Sequence, residues 1–310
     1  MDYKSARVFA TTIGRRAITD IRKDGFRQLR NYVDMCAVLA NRPNQKAFFD
    51  RAQETLEKTD SQYYSLVRRL VDEVEDEHLC TVFTDLCFDG LIYGASRMKQ
   101  ASEQSNAPCS WLKIASCGDP ALPAQVQKAE EEGCFVWLLY AQGEIPQQTA
   151  ALAKQYPYSA FVLMAEPAAY DSPALESVTR QDNIIPQLLL QKPELDAAAL
   201  AITHSLRERK RLFGLAVPLD DTTLDRALCD AWLDQAAREG LVCLYARKPG
   251  MSEEGSQRLY NTVVAKRVEP SRPLLLLDWD KDLPYINHAL SPYAVTGNLL
   301  QDKEGFPFQI

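Results

Sequence analysis

A chain of 310 residues with 46% hydrophobic and 25% charged side chains is long enough to bury one α/β barrel and a smaller appendage. Its net charge of −7 is uneven: residues 1–105 carry 16 basic and 16 acidic groups, leaving 19 against 26 for the rest, and an acidic surface excludes the phosphate neutralisation that nucleic-acid binding needs. No apolar run approaches the roughly 18 residues of a membrane span, and charge breaks the first 25 residues too often for a secretory signal. A cytoplasmic protein is expected, with a small molecule or a partner protein rather than nucleic acid or membrane as its binding partner.

Residues 1–105 read as an all-helical region. One helix is expected over about 4–21, a break at Asp24-Gly25, and a second helix over about 26–40. Asn44 is the expected N-cap of a third helix, and the Thr59-Asp60-Ser61 run caps a fourth. In that fourth helix Leu66, Val67, Leu70, Val71 and Val74 recur at helical spacing and share one face. A fifth helix is expected from His78, carrying Leu79, Val82, Phe83, Leu86 and Ile92. These faces are too many for a self-contained bundle, so some should pack on the rest of the chain. The basic excess within residues 1–30 reads as a solvated helix face.

From Trp111 the pattern turns to alternating strands and helices. Strands are expected at 111–116, 134–141, 159–165, 184–190, 211–217, 241–246 and 273–279, as apolar runs of the kind buried on both faces of a parallel sheet. Helices fall between most of them, at about 122–132, 146–156, 168–179, 194–208, 222–238 and 253–266. A weak eighth strand around residues 293–295 would close the ring. The fold class is α/β: a TIM-type (β/α) barrel or partial barrel over 106–310, preceded by the helical region over 1–105.

Ligands in such folds sit at the carboxyl ends of the strands. That rule nominates Cys117, Gln142, Gly143, Glu144, Glu166, Gln191, Arg247, Asp278 and Asp280. The run Asp278-Trp279-Asp280-Lys281-Asp282 is the densest polar cluster and reads equally as a ligand site or as a loop tip around a packed tryptophan. Glu166, Asp278 and Asp280 would suit a hard divalent cation only if they converge, and no metal site is assigned. The eight cysteines form no CxxC pair and read as small hydrophobes. His78 and His204 fall on helices, and His288 follows the seventh strand. No phosphate loop or nucleophilic triad is visible.

The helical segment ending DGLIYGASRMKQ, the Asn106-Ala107-Pro108 linker and the first apolar strand together resemble a clostridial-type group of radical S-adenosylmethionine (SAM) proteins. The second strand ends Ala141-Gln142-Gly143-Glu144-Ile145-Pro146, similar to the Gly-Gly-Glu-Pro motif that holds the SAM amino group in that family. Gly143 and Glu144 match, Gln142 replaces the first glycine, and the proline stands one place late. The defining CxxxCxxC loop is missing: Ser116-Cys117-Gly118-Asp119-Pro120 stands there, with one thiol and too few residues. The resemblance implies a radical SAM-like barrel with SAM as its candidate cofactor and without the iron–sulfur cluster.

Three functions stand as expectations. The first is a cluster-less barrel acting as a non-redox ligand-binding or regulatory protein. The second is a cluster-independent enzyme using barrel-mouth carboxylates, with or without a divalent metal. The third is an accessory subunit that docks through its N-terminal helices.

Overall fold

A computed structural model describes residues 2–39, 43–105, 109–269 and 272–290; the side chains of 39, 43–45 and 287–290 lie outside that description. The expected eighth strand, the Asn106–Pro108 linker and the side chain of His288 therefore fall outside the described residues. The chain opens with α1 (Tyr3–Lys23), α2 (Gly25–Leu39), α3 (Pro43–Glu57), α4 (Gln62–Glu73) and α5 (Asp76–Phe83). A π-helix (Thr84–Tyr93) and α6 (Gly94–Ser105) complete this region. No described helix is long and apolar enough to cross a membrane.

Among the described residues, seven parallel strands come next in strict sequence order and curl into a half-barrel: β1 (Leu112–Ser116), β2 (Val136–Tyr140), β3 (Ala160–Ala165), β4 (Ile184–Leu189), β5 (Gly214–Leu219), β6 (Val242–Arg247) and β7 (Leu275–Asp278). Between them run α7 (Leu122–Glu132), α8 (Gln148–Gln155), α9 (Ser172–Thr179), α10 (Ala197–Glu208), α11 (Leu224–Leu228), α12 (Asp230–Glu239) and α13 (Glu253–Lys266), and α14 (Trp279–Leu290) follows β7. Side chains alternate across the sheet. Trp137, Phe161, Leu163, Leu215 and Tyr245 pack against the surrounding helices. Ile114, Leu138, Met164, Ala216 and Leu244 face the other way and pack with Met98 of α6 and with Trp279, Leu283 and Ile286 of α14. Double-sided burial is why these strands are predominantly apolar on both faces.

The helical region covers the amino-terminal ends of the strands. Leu66 and Val74 of α4 pack with Leu241, Val242 and Leu275. Arg69 donates to the carbonyls of Ala237 (2.6 Å) and Pro273 (3.2 Å), and Gln62 donates to that of Arg267. His78 places Nδ1 2.9 Å from the Asp182 carbonyl.

Several expectations need correction. Helix α5 starts at Asp76, not His78, because the Glu75 carboxylate accepts from the His78 N–H at 2.8 Å and caps it. Helix α3 starts at Pro43, so Asn44 lies inside its first turn. The fifth helix does not continue as an α-helix: Thr84–Tyr93 is π-helical, and the Gly94 N–H bonds back to the Asp89 carbonyl. Strand β5 starts late because α10 ends with Lys210 at φ 52° and Arg211 N–H bonded to the Leu206 carbonyl, so the chain is still leaving the helix at 211. The helix expected over 222–238 breaks at Cys229, which is extended. The polar run after β7 is no loop tip but the first turn of α14, whose internal Pro284 hides it from periodicity.

Candidate functional site

The strand order puts the loops after β1 to β7 on one rim, and the rim divides into three groups of side chains. The first surrounds β1 and β2. Cys117, just past β1, donates its backbone N–H to the Tyr140 carbonyl at 3.0 Å, and is 2% exposed within the helix-side core beside Leu122, Val126 and Ile145. Burial pushes its thiol up to about 11, so Cys117 is a neutral packing group. Asp119 closes the same loop by accepting from the Ala121 N–H (2.8 Å) and the Gln125 amide (2.9 Å). After β2, Gln142, Gly143 and Glu144 are all exposed. Gly143 sits at φ 84° with open space where a Cβ would stand, so glycine is favoured there by backbone conformation alone. Glu144 meets no hydrogen-bond partner among the described residues.

The second group joins β3 to β4. Glu166 follows β3, and its backbone carbonyl accepts from the Ala169 N–H at 2.9 Å, starting a short 3₁₀ turn. Its carboxylate accepts a hydrogen bond from the Gln191 side-chain amide. Two nominated residues are thus in contact, both exposed at the rim.

The third group joins β6 to β7. Asp280 accepts from the Arg247 N–H at 3.1 Å and lies 3.2 Å from the Arg247 guanidinium. Arg247 thus pairs with Asp280. Asp278 Oδ1 accepts from the N–H groups of Asp280 (3.0 Å) and Lys281 (3.3 Å), the geometry of a helix cap. Its Oδ2 is buried without a partner. Burial raises Asp278 to about 6, with Asp280 adding to the rise and Arg247 opposing it. Beside this group Lys248 reaches Asp220 at 3.1 Å, and hydrogen bonds from Thr222 above all hold Asp220 well below the usual carboxylate range.

Glu166 bonds to Gln191, two residues past β4, while Asp278 and Asp280 serve α14 and Arg247. Among the described residues no three His, Cys, Asp or Glu side chains are set to hold a metal ion. A four-iron cluster does not fit the donor set, because the single loop thiol is buried, neutral and turned toward the helices. The exposed Glu144 carboxylate beside Gly143 meets no partner among the described residues and has the chemistry to accept from an ammonium group. His78 is buried at the opposite end of the strands, and burial pushes it down to about 4, with Arg211 adding to the fall. His204 lies on the outside of α10, 3.7 Å from Glu239.

Two features escaped the sequence. Asp282 takes both terminal nitrogens of Arg267, although only its place in an acidic run marked it. In the π-helix, Asp85 and Asp89 are buried against Arg7, and their signal was two carboxylates four apart in an otherwise apolar run. No protein-family model matches the chain, and a search of curated proteins finds no relative.

Proposed function

We propose that the chain is a barrel of radical SAM-like layout that works without an iron–sulfur cluster, as a non-redox ligand-binding or regulatory protein. The observation that carries this reading is Cys117: the one thiol in the loop after β1 is 2% exposed and protonated. Thiolates are what hold such a cluster. The loop after β2 keeps Gly143 in its left-handed conformation and an exposed Glu144, which suits the ammonium of SAM. The test is calorimetric titration of SAM into iron-free protein. Micromolar binding that weakens at least about tenfold in Glu144→Ala supports a surviving pocket, since an ion-paired hydrogen bond contributes roughly 1.5–3 kcal/mol. An absence of heat together with an unchanged unfolding temperature overturns it.

A second reading, an accessory subunit that docks through its N-terminal helices, draws on Val8 and Phe9 of α1, which are 67% and 60% exposed. Co-purification with an intact radical SAM protein, lost in the Val8→Glu/Phe9→Glu variant, is the outcome that favours it. The carboxylate-enzyme reading has less to stand on, because Asp278 and Asp280 are engaged in holding α14 and Arg247.

A further inference from the structure

The π-helix buries more acid than base. Asp85 and Asp89 are both 0% exposed. Arg7 of α1 donates to Asp85 Oδ1 at 2.5 Å and to Asp89 Oδ2 at 2.8 Å. The Tyr3 hydroxyl, also on α1, donates to Asp89 Oδ1 at 2.8 Å. Both oxygens of Asp89 are therefore satisfied, whereas Asp85 Oδ2 is buried and meets no partner. The Arg7 guanidinium is further covered by the Tyr158 ring, 4.1 Å away in the loop before β3. A further charge acting on Asp85 is again acidic: Glu130 of α7, which accepts from the Ser159 hydroxyl at 2.7 Å.

One guanidinium cannot balance two buried carboxylates with a third nearby, and an uncompensated buried charge is costly. The residual charge must be met by a cation or a proton. Arg7 already fills the space between the carboxylates, and no described acidic group is arranged for a metal. We propose that Asp85 holds a proton while α1 is docked, and that its release is a pH-sensitive latch between α1 and the π-helix.

Burial is the largest influence on Asp85 and raises it to about 8; Arg7 pulls it down, while Asp89 and Glu130 push it up. Asp89 and Glu130 are also raised, chiefly by burial. Of the two aspartates, Asp89 is the better placed to stay ionised, since it receives both Arg7 and Tyr3. When α1 lifts away, water reaches Asp85 and its affinity for the proton falls to the ordinary range of about 4. The docked form thus binds the proton more tightly. Its advantage is fullest below about pH 4, declines as pH rises, and levels off above the docked value.

The test is hydrogen–deuterium exchange on the full chain at a series of pH values, corrected for intrinsic exchange rates and read at the α1 amides against those of the strands. In the wild type, α1 protection should fall at least about tenfold between about pH 6 and pH 9, since each unit of linked titration is worth a factor of ten. In Asp85→Asn, which keeps an oxygen for Arg7 but cannot ionise, that fall should vanish. An equal fall in the variant overturns the latch. Should the variant not fold, carbon-13 carboxyl resonances of aspartate-labelled wild type decide the matter. One aspartate titrating near pH 8 supports the proposal, and ionisation of every aspartate below about pH 6 overturns it.

Discussion

The backbone N–H of Asp278 donates to Asp282 Oδ2 at 2.7 Å, and the Asp282 carboxylate also takes both terminal nitrogens of Arg267. One nearly buried side chain therefore ties the end of β7, the first turn of α14 and the end of α13. Asp282→Ala strands Arg267 and a buried N–H together and should cost about 3 kcal/mol. Asp282→Asn, which keeps an acceptor, should cost less. Urea unfolding of the three proteins checks the order, and equal midpoints would contradict the tie.

Gly94 and Gly214 should respond differently to alanine. A Cβ at Gly94 would stand 2.4 Å from the Gly133 carbonyl oxygen and 2.6 Å from that of Asp89, both backbone atoms. Gly94→Ala must separate α6 from the turn before β2, at about 3 kcal/mol. A Cβ at Gly214 would instead meet the amide end of Gln187 at 2.4 Å, and rotation of that side chain relieves the contact. Gly214→Ala should cost no more than about 1 kcal/mol, and Gly214→Ala/Gln187→Ala should recover most of it. Thermal unfolding of the single and double variants measures both effects.

His78 sets an acid limit on stability. Its folded pKa, lowered by burial to about 4, lies below its unfolded value near 6.5. The unfolded chain therefore takes the proton first. The contribution is full above about pH 6.5 and is lost as pH falls toward the folded value, a change of about 3 kcal/mol. His78→Gln should flatten the unfolding free energy across that window. An undiminished slope in the variant would place the acid sensitivity elsewhere.

Thiol chemistry should track burial rather than position on the rim. Cys229 is exposed, whereas Cys117, Cys134 and Cys243 are buried, with thiols pushed up by burial to about 11, 12 and 12. Alkylation of the native protein, mapped by mass spectrometry, should label Cys229 early and these three only on unfolding. Rapid labelling of Cys117 would mean that the loop after β1 opens.

Much of the architecture was legible because double-sided burial writes strands as unbroken apolar runs, and α7 and α13 match their expected bounds. The π-helix was not legible. The Leu79, Val82, Leu86 and Ile92 pattern suits an ordinary helix, and periodicity carries no mark of a bond to the fifth residue back. Helix α14 was lost to Pro284. At the rim, sequence located the polar side chains but not their partners. That Arg247 takes Asp280 while Asp278 caps a helix depends on the chain turning helical directly after β7, which no composition reveals.

The contacts that seat the helical region join distant parts of the chain. Arg69 reaches Ala237 across 168 residues, Gln62 reaches Arg267 across 205, and Arg51 of α3 reaches Tyr285 across 234. During synthesis at roughly 5–20 residues per second, α4 waits on the order of ten to forty seconds for the surface that will cover it. Leu66 and Val74 leave the ribosome long before β6 and β7 exist. The newly made helices thus pass through a period of unmet apolar surface, in which holdase chaperones have most to offer and a stalled ribosome would release its most aggregation-prone product.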